Sequence, residues 1–228
     1  MEEDNKSLAK SMQQTIEYGN FEFVEDIGEI MIDAVIKDEV LKEVPILSSI
    51  VGVGKCIKNM YDAYFAKKLI QFLIPLKVIK LEERKKAIEK WEQNENYRGN
   101  VGETLIGMIQ RCDDSLKAKW LSKLFYEFVL LRNEPRLFMR AEKILSSLSV
   151  MDIQAFLNMD KAYYSNIREI DCEPYIGSGL YQNPKISNPK DGILDFGDTY
   201  CMVTEMGYYI YNFLNDLCVT DFKQVKLF

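Results

Sequence analysis

The sequence contains no histidine. That absence removes the commonest general base near neutral pH. It also removes Ser–His and Cys–His nucleophile pairs and the usual ligands of catalytic zinc. Glycine (12) and proline (6) are few for 228 residues. A sandwich or barrel needs many turns, so a mainly helical fold is expected. The five cysteines, Cys56, Cys112, Cys172, Cys201 and Cys218, include no CxxC pair. Free, buried or half-buried thiols in a reducing cytoplasm are therefore expected, rather than a metal or disulfide site. A membrane span needs about 18 consecutive apolar residues, and no such run occurs. The opening MEEDNKSLAK lacks the basic start and apolar run of a signal peptide, so a cytoplasmic location is expected.

What is present is an ordinary globular balance, 47% hydrophobic and 28% charged. The length allows one large domain or two small ones. The formal charge of −6 disfavours a general nucleic-acid binder, because phosphate neutralisation needs a basic surface. A local basic patch remains compatible with that charge.

The stretch SSIVGVGKC, Ser48–Cys56, ends like a phosphate-binding loop. Aligning GxxxxGK[ST] on Gly54 places Ser49 at the first glycine and Cys56 at the hydroxyl position. The glycine is needed for the tight loop and the hydroxyl for magnesium, so the motif fails at both ends. Helical spacing runs through the stretch instead: Ile46, Ile50, Val53, Ile57, Met60, Tyr61, Tyr64, Phe65, Leu69, Phe72 and Leu73. One amphipathic helix over 45–74 is expected, opened by Pro45 and stopped by Pro75. Gly52 and Gly54 then become thin places where another helix can approach. Such a helix fits a bundle core, and its lysine-flanked apolar face also fits a membrane interface.

Residues 1–18 suggest a polar arm or a short separate helix, followed by a helical period from Phe23 to Leu41. Glu25, Asp26, Glu29, Asp33, Asp38 and Glu39 give that segment an acidic face, expected to be solvated. Between Lys77 and Lys90 lie six basic residues and three acidic ones. This segment predicts a surface helix anchored by Leu81, Ile88 and Trp91. Its Arg84, Lys85 and Lys86 form the best local candidate for anion contact. Two helices follow, Val101–Cys112 and Leu116–Leu131, expected to pack antiparallel across Asp113–Asp114. Pro135 opens another, with Leu137, Phe138, Ala141, Ile144, Leu145 and Leu148 inward. Ser149 and Asp152 have capping-box spacing before Ile153, Phe156 and Leu157.

Near residue 160 the texture changes to short strand-like pieces separated by the turn-rich NPKISNPKDG. The string GSGLYQ…TYCMVTEMGYYIYNFL resembles the end of a winged-helix domain. The resemblance implies a strand at Gly179–Tyr181, a wing over 183–197, a returning strand Thr199–Val203, and a closing helix from Thr204. It implies a recognition helix near Lys161–Ile170. That segment, KAYYSNIREI, carries little of the basic face that major-groove contact requires. From Pro135 to Phe228 there are nine Lys/Arg and twelve Asp/Glu. Pro45–Ile46, Lys67–Leu69, Phe72–Leu73 and Lys117–Phe125 also resemble pieces of an uncharacterised group of bacterial helical proteins. Those occur among accessory or mobile-element genes and bring no activity to transfer.

The expected architecture is thus a helical bundle over 1–132 and a small winged-helix-like α+β domain over 133–228. The expected function is a non-enzymatic interaction or regulatory protein with a protein partner or self-association. Two alternatives stand beside it. One is a DNA-binding regulator contacting phosphate through Arg168, Lys185 and Lys190. The other is a defence or immunity effector meeting a membrane peripherally through the 45–74 helix. No catalytic residue, cofactor or metal ligand is assigned.

Overall fold

A computed structural model describes residues 2–19, 44–51, 60–93, 100–132, 134–160, 166–182 and 200–216. The protein is mainly helical, with one small antiparallel sheet. It divides into two compact units, Met1–Phe138 and Met139–Phe228.

In the first unit, α1 (Glu2–Tyr18) is a full helix, not an arm. Ala9, Met12, Thr15 and Ile16 recur at helical spacing and are buried. Its neighbours are α2 (Pro45–Val51), α4 (Leu81–Glu92) and α5 (Val101–Arg111). Thr15 Oγ1 accepts from Ile46 N at 2.9 Å, satisfying one of the free donors at the start of α2. Gly102 of α5 lies so close to α1 that a Cβ there would collide with the Ala9 carbonyl oxygen.

The expected 45–74 helix is represented by α2 and by α3 (Met60–Leu73); Gly52 and Gly54 lie outside the described residues. Pro75 does end α3, within a short 3-10 helix, Ile74–Val78. Leu69, Phe72 and Leu73 are buried, and α3 packs on α6 (Ser115–Phe125). Lys117, Ala118, Trp120, Leu121, Ser122, Leu124 and Phe125 are all buried, so α6 is a central helix enclosed on most sides.

Two expectations for this region change. The helices α5 and α6 are not an antiparallel pair: α5 packs mainly on α1 and α6 on α3. The joint between them is extended, with Cys112 at φ −59°, ψ 120° and Asp114 at φ −138°, ψ 151°. The two helices on either side of it thus take different neighbours. The expected helix to Leu131 also changes form, because Tyr126–Leu131 is π-helical. The wider i→i+5 turn shifts the side-chain phase. Phe128, Val129 and Leu130 turn inward and Leu131 is left 52% exposed.

Helix α7 (Pro135–Ser147) spans the division between the units. Phe138 is buried and packs its ring on Phe125 at 5.4 Å and Trp91 at 6.3 Å between centroids.

In the second unit, α8 (Val150–Leu157) opens with the expected capping box at Ser149 and Asp152. Strand β1 (Asn166–Arg168), α9 (Glu169–Ile176), β2 (Tyr181–Gln182), β3 (Tyr200–Val203) and α10 (Glu205–Leu214) follow. The sheet order is β1–β3–β2, all pairs antiparallel, with Ile167 opposite Cys201 and Tyr181 opposite Val203. Phe156 is the centre of the core, with the rings of Tyr175, Tyr181 and Tyr211 at 6.1, 5.9 and 5.6 Å. Thr204 joins sheet to helix. Its hydroxyl donates to the Gly179 carbonyl at 2.7 Å and accepts from Gly207 N at 3.0 Å. Gly207 has no room for a side chain, because Leu180 O stands where a Cβ would be.

Candidate functional site

The sequence pointed to α4 as a basic surface, and the structure divides its cations by helical phase. Arg84, Ile88 and Trp91 fall at i, i+4 and i+7 and are all buried. Arg84 thus shares the stripe of the apolar anchors and is not on the surface, which corrects its place in the expected anion patch. Its guanidinium donates to Ile16 O and Gly19 O, each at 2.9 Å. These carbonyls end α1 and carry the partial negative charge of a helix C-terminus. Burial lowers the Arg84 pKa from its ordinary value, yet a guanidinium so far above neutrality stays charged. Lys85 is half-buried, its ammonium 4.4 Å from the centre of the Tyr18 ring. Lys86 is exposed, but so are Glu82, Glu83, Glu89 and Glu92 on the same helix. The α4 surface is a mixed-charge face.

A second buried cation closes the α5–α6 joint. Lys68 of α3 is 5% exposed and donates to Gln110 O at 3.0 Å and Cys112 O at 2.8 Å. Burial lowers its pKa, opposed by the charge of Cys112 and Asp113. Tyr64, one turn earlier, donates its hydroxyl to Asp113 O at 2.6 Å. Lys117 meets the Asp113 carboxylate at 2.8 Å. Lys68 and Tyr64 of α3 and Lys117 of α6 thus all engage the joint.

The remaining expected contacts fall in the second unit. Arg168 is the last residue of β1, opposite Tyr200 of β3. The expected recognition helix is partly replaced: Asn166–Arg168 is a strand, and the helix is Glu169–Ile176 with Pro174 inside it. Lys185, Lys190 and the wing lie outside the described residues, as does the acidic face Glu25–Glu39. Among the described residues no group of three His, Cys, Asp or Glu could hold a metal ion. No described helix is long and apolar enough to cross a membrane. Cys112 is a half-buried thiol, and Cys172 and Cys201 are buried thiols.

One basic face went unnoticed in the sequence. On α7 the exposed residues are Arg136, Met139, Arg140, Lys143, Ser146 and Ser147. Three are cations and none is a carboxylate. The only carboxylate of α7, Glu142, is 8% exposed and accepts from Ser146 Oγ at 2.9 Å. The signal was available in PRLFMRAEKILSS: Arg136, Arg140 and Lys143 stand at i, i+4 and i+7, opposite the Phe138–Ala141–Leu145 stripe.

No family model, curated protein or solved structure matches this chain.

Proposed function

We propose that this is a non-enzymatic bacterial interaction or regulatory protein, of a mobile element or defence locus, acting through protein–protein contacts. The observation that carries the reading is the use made of the buried cations. Lys68 and Arg84 engage helix-terminal carbonyls of other elements and so fasten helices together, and Lys117 pairs with the carboxylate of the joint before its own helix. Among the described residues, these three buried cations are thus engaged in architecture. The protein then acts by presenting surfaces. Affinity capture of the tagged full chain from its native host, with and without nuclease, tests this. One stoichiometric protein partner that survives nuclease is the expected result. Recovery of the chain with no other protein, together with a monomeric chain in solution, would overturn it.

A second reading has its own observation. Strand β2 pairs antiparallel with β3, the 183–199 segment connects them, and Thr204 caps the helix that follows. This arrangement supports a winged-helix-like second unit acting as a DNA-binding regulator. Replacing Arg168, Lys185 and Lys190 together by glutamine should then lower affinity for duplex DNA and flatten its salt dependence. Unchanged DNA binding in that variant would remove this reading.

A further inference from the structure

The exposed face of α7 differs from other cationic surfaces among the described residues, because its charges have no carboxylate interspersed. Arg136, Arg140 and Lys143 are exposed at i, i+4 and i+7. With about 1.5 Å of rise per residue, they form a line about 10 Å long on one side of a single helix. The chain as a whole is acidic, at −6. Met139, 38% exposed, stands within the line, three residues after Arg136 and four before Lys143.

We infer that this face of α7 docks an acidic protein segment that carries a large apolar side chain. The inference rests on the interaction reading above and names the chemistry of the partner. Charge complementarity requires an anionic occupant. The exposed methionine selects among anions. A thioether on a flexible stem adapts to an apolar neighbour, and a phosphate backbone offers none. Arginine and methionine are among the residues enriched at protein interfaces. A duplex presents one negative charge per about 1.7 Å of axis. A line of about 10 Å meets only a short part of such a polyanion. A short segment with a few carboxylates around one apolar residue matches both the length and the chemistry.

The test uses the full chain and three labelled probes, read by fluorescence anisotropy at moderate salt. The probes are a random copolymer of glutamate and leucine, poly-glutamate, and a random-sequence DNA duplex. The copolymer should bind most tightly. Arg140→Glu with Lys143→Glu should weaken it by about tenfold or more, as expected for losing charged interface contacts. Met139→Ser should weaken the copolymer several-fold and leave poly-glutamate unchanged. The milder Arg140→Gln with Lys143→Gln repeats the charge loss, and circular dichroism of each variant checks that the fold is kept. A duplex bound more tightly than the copolymer, or binding indifferent to both double variants, would overturn the inference. Native-host capture with the same variants separates the two levels. A partner retained by the charge-reversed chain sinks the docking face alone, while an unaltered chain that captures no protein and is monomeric sinks the interaction reading.

Discussion

Helices α4 and α7 place three residues at the same i, i+4, i+7 spacing and use them in opposite ways. In α4 the positions are Arg84, Ile88 and Trp91, and all three are buried. In α7 they are Arg136, Arg140 and Lys143, and all three are exposed. The α4 segment is denser in basic residues, yet its arginine is enclosed and its exposed lysines stand among glutamates. The sparser α7 segment offers a line of cations with no acid on it. What makes a charge available is its phase relative to the apolar stripe, not the number of charges nearby. A cation in the stripe becomes a structural fastener when carbonyls await it, as those of Ile16 and Gly19 await Arg84.

The largest effect should come from breaking the fastener. Arg84→Met keeps the apolar stem and removes both donors, leaving helix-end carbonyls without their charged partner. A loss of about 3 kcal/mol is expected, from hydrogen bonds made by a charged group. Urea unfolding followed by tryptophan fluorescence reports it cleanly, since Trp91 and Trp120 both belong to the first unit. Loss under about 0.5 kcal/mol, the level of an ordinary surface change, would mean that Arg84 does not hold α1.

The next effect concerns the other side of α1. Gly102→Ala puts a methyl group against the Ala9 carbonyl oxygen, a backbone atom that cannot rotate away. Overpacking of this kind costs about 2 kcal/mol, read in the same unfolding experiment. A neutral outcome would show that α1 can slide on α5. The seat of α1 would then depend on Arg84 and its neighbours in α4.

Lys85 is intermediate between the two helices. It sits one residue past Arg84, rotated off the stripe, and its ammonium covers the ring of Tyr18, itself 62% exposed. A cation–π contact this exposed is worth about 0.5 kcal/mol. Lys85→Met should lower stability by that amount, and the loss should vanish when Tyr18 is already leucine. An equal loss in the Tyr18→Leu background would assign the effect to something other than the ring.

Helical phase also explains how much of the molecule was legible in advance. Stripes such as Phe138–Ala141–Leu145 predict a buried face from residue type alone, and the capping box at Ser149 follows from spacing. The strands at Tyr181 and Tyr200–Val203 and the helix after Thr204 fall where the winged-helix resemblance implied them, whereas the strand Asn166–Arg168 does not. The failures are non-local. Nothing within MEEDNKSLAKSMQQTIEY says that a polar helix will lie beside Gly102 with Ile16 wholly buried. Nothing within Leu116–Leu131 announces the π-helical turn. The α5–α6 pairing failed because loop length was taken to set direction, whereas Lys68 and Tyr64, over forty residues earlier, pin the joint. For the candidate site the missed signal was local: α7 showed its cation line in the sequence, and charge density drew attention to α4 instead.

The smallest expected effect is the one that gives the comparison its edge. Arg140→Gln with Lys143→Gln changes the formal charge from −6 to −8, two positive charges being removed. Glutamine is close to arginine and lysine in helix propensity, so α7 itself should be indifferent. Both side chains are exposed, and no ion pair is formed by either among the described residues. Stability should therefore move by less than about 0.5 kcal/mol. A loss approaching that of Arg84→Met would place these cations in the architecture, as Arg84 is, and erase the distinction between the two helices. Unchanged stability joined to lost copolymer binding would leave partner contact as the remaining use for a face of cations that stabilises nothing.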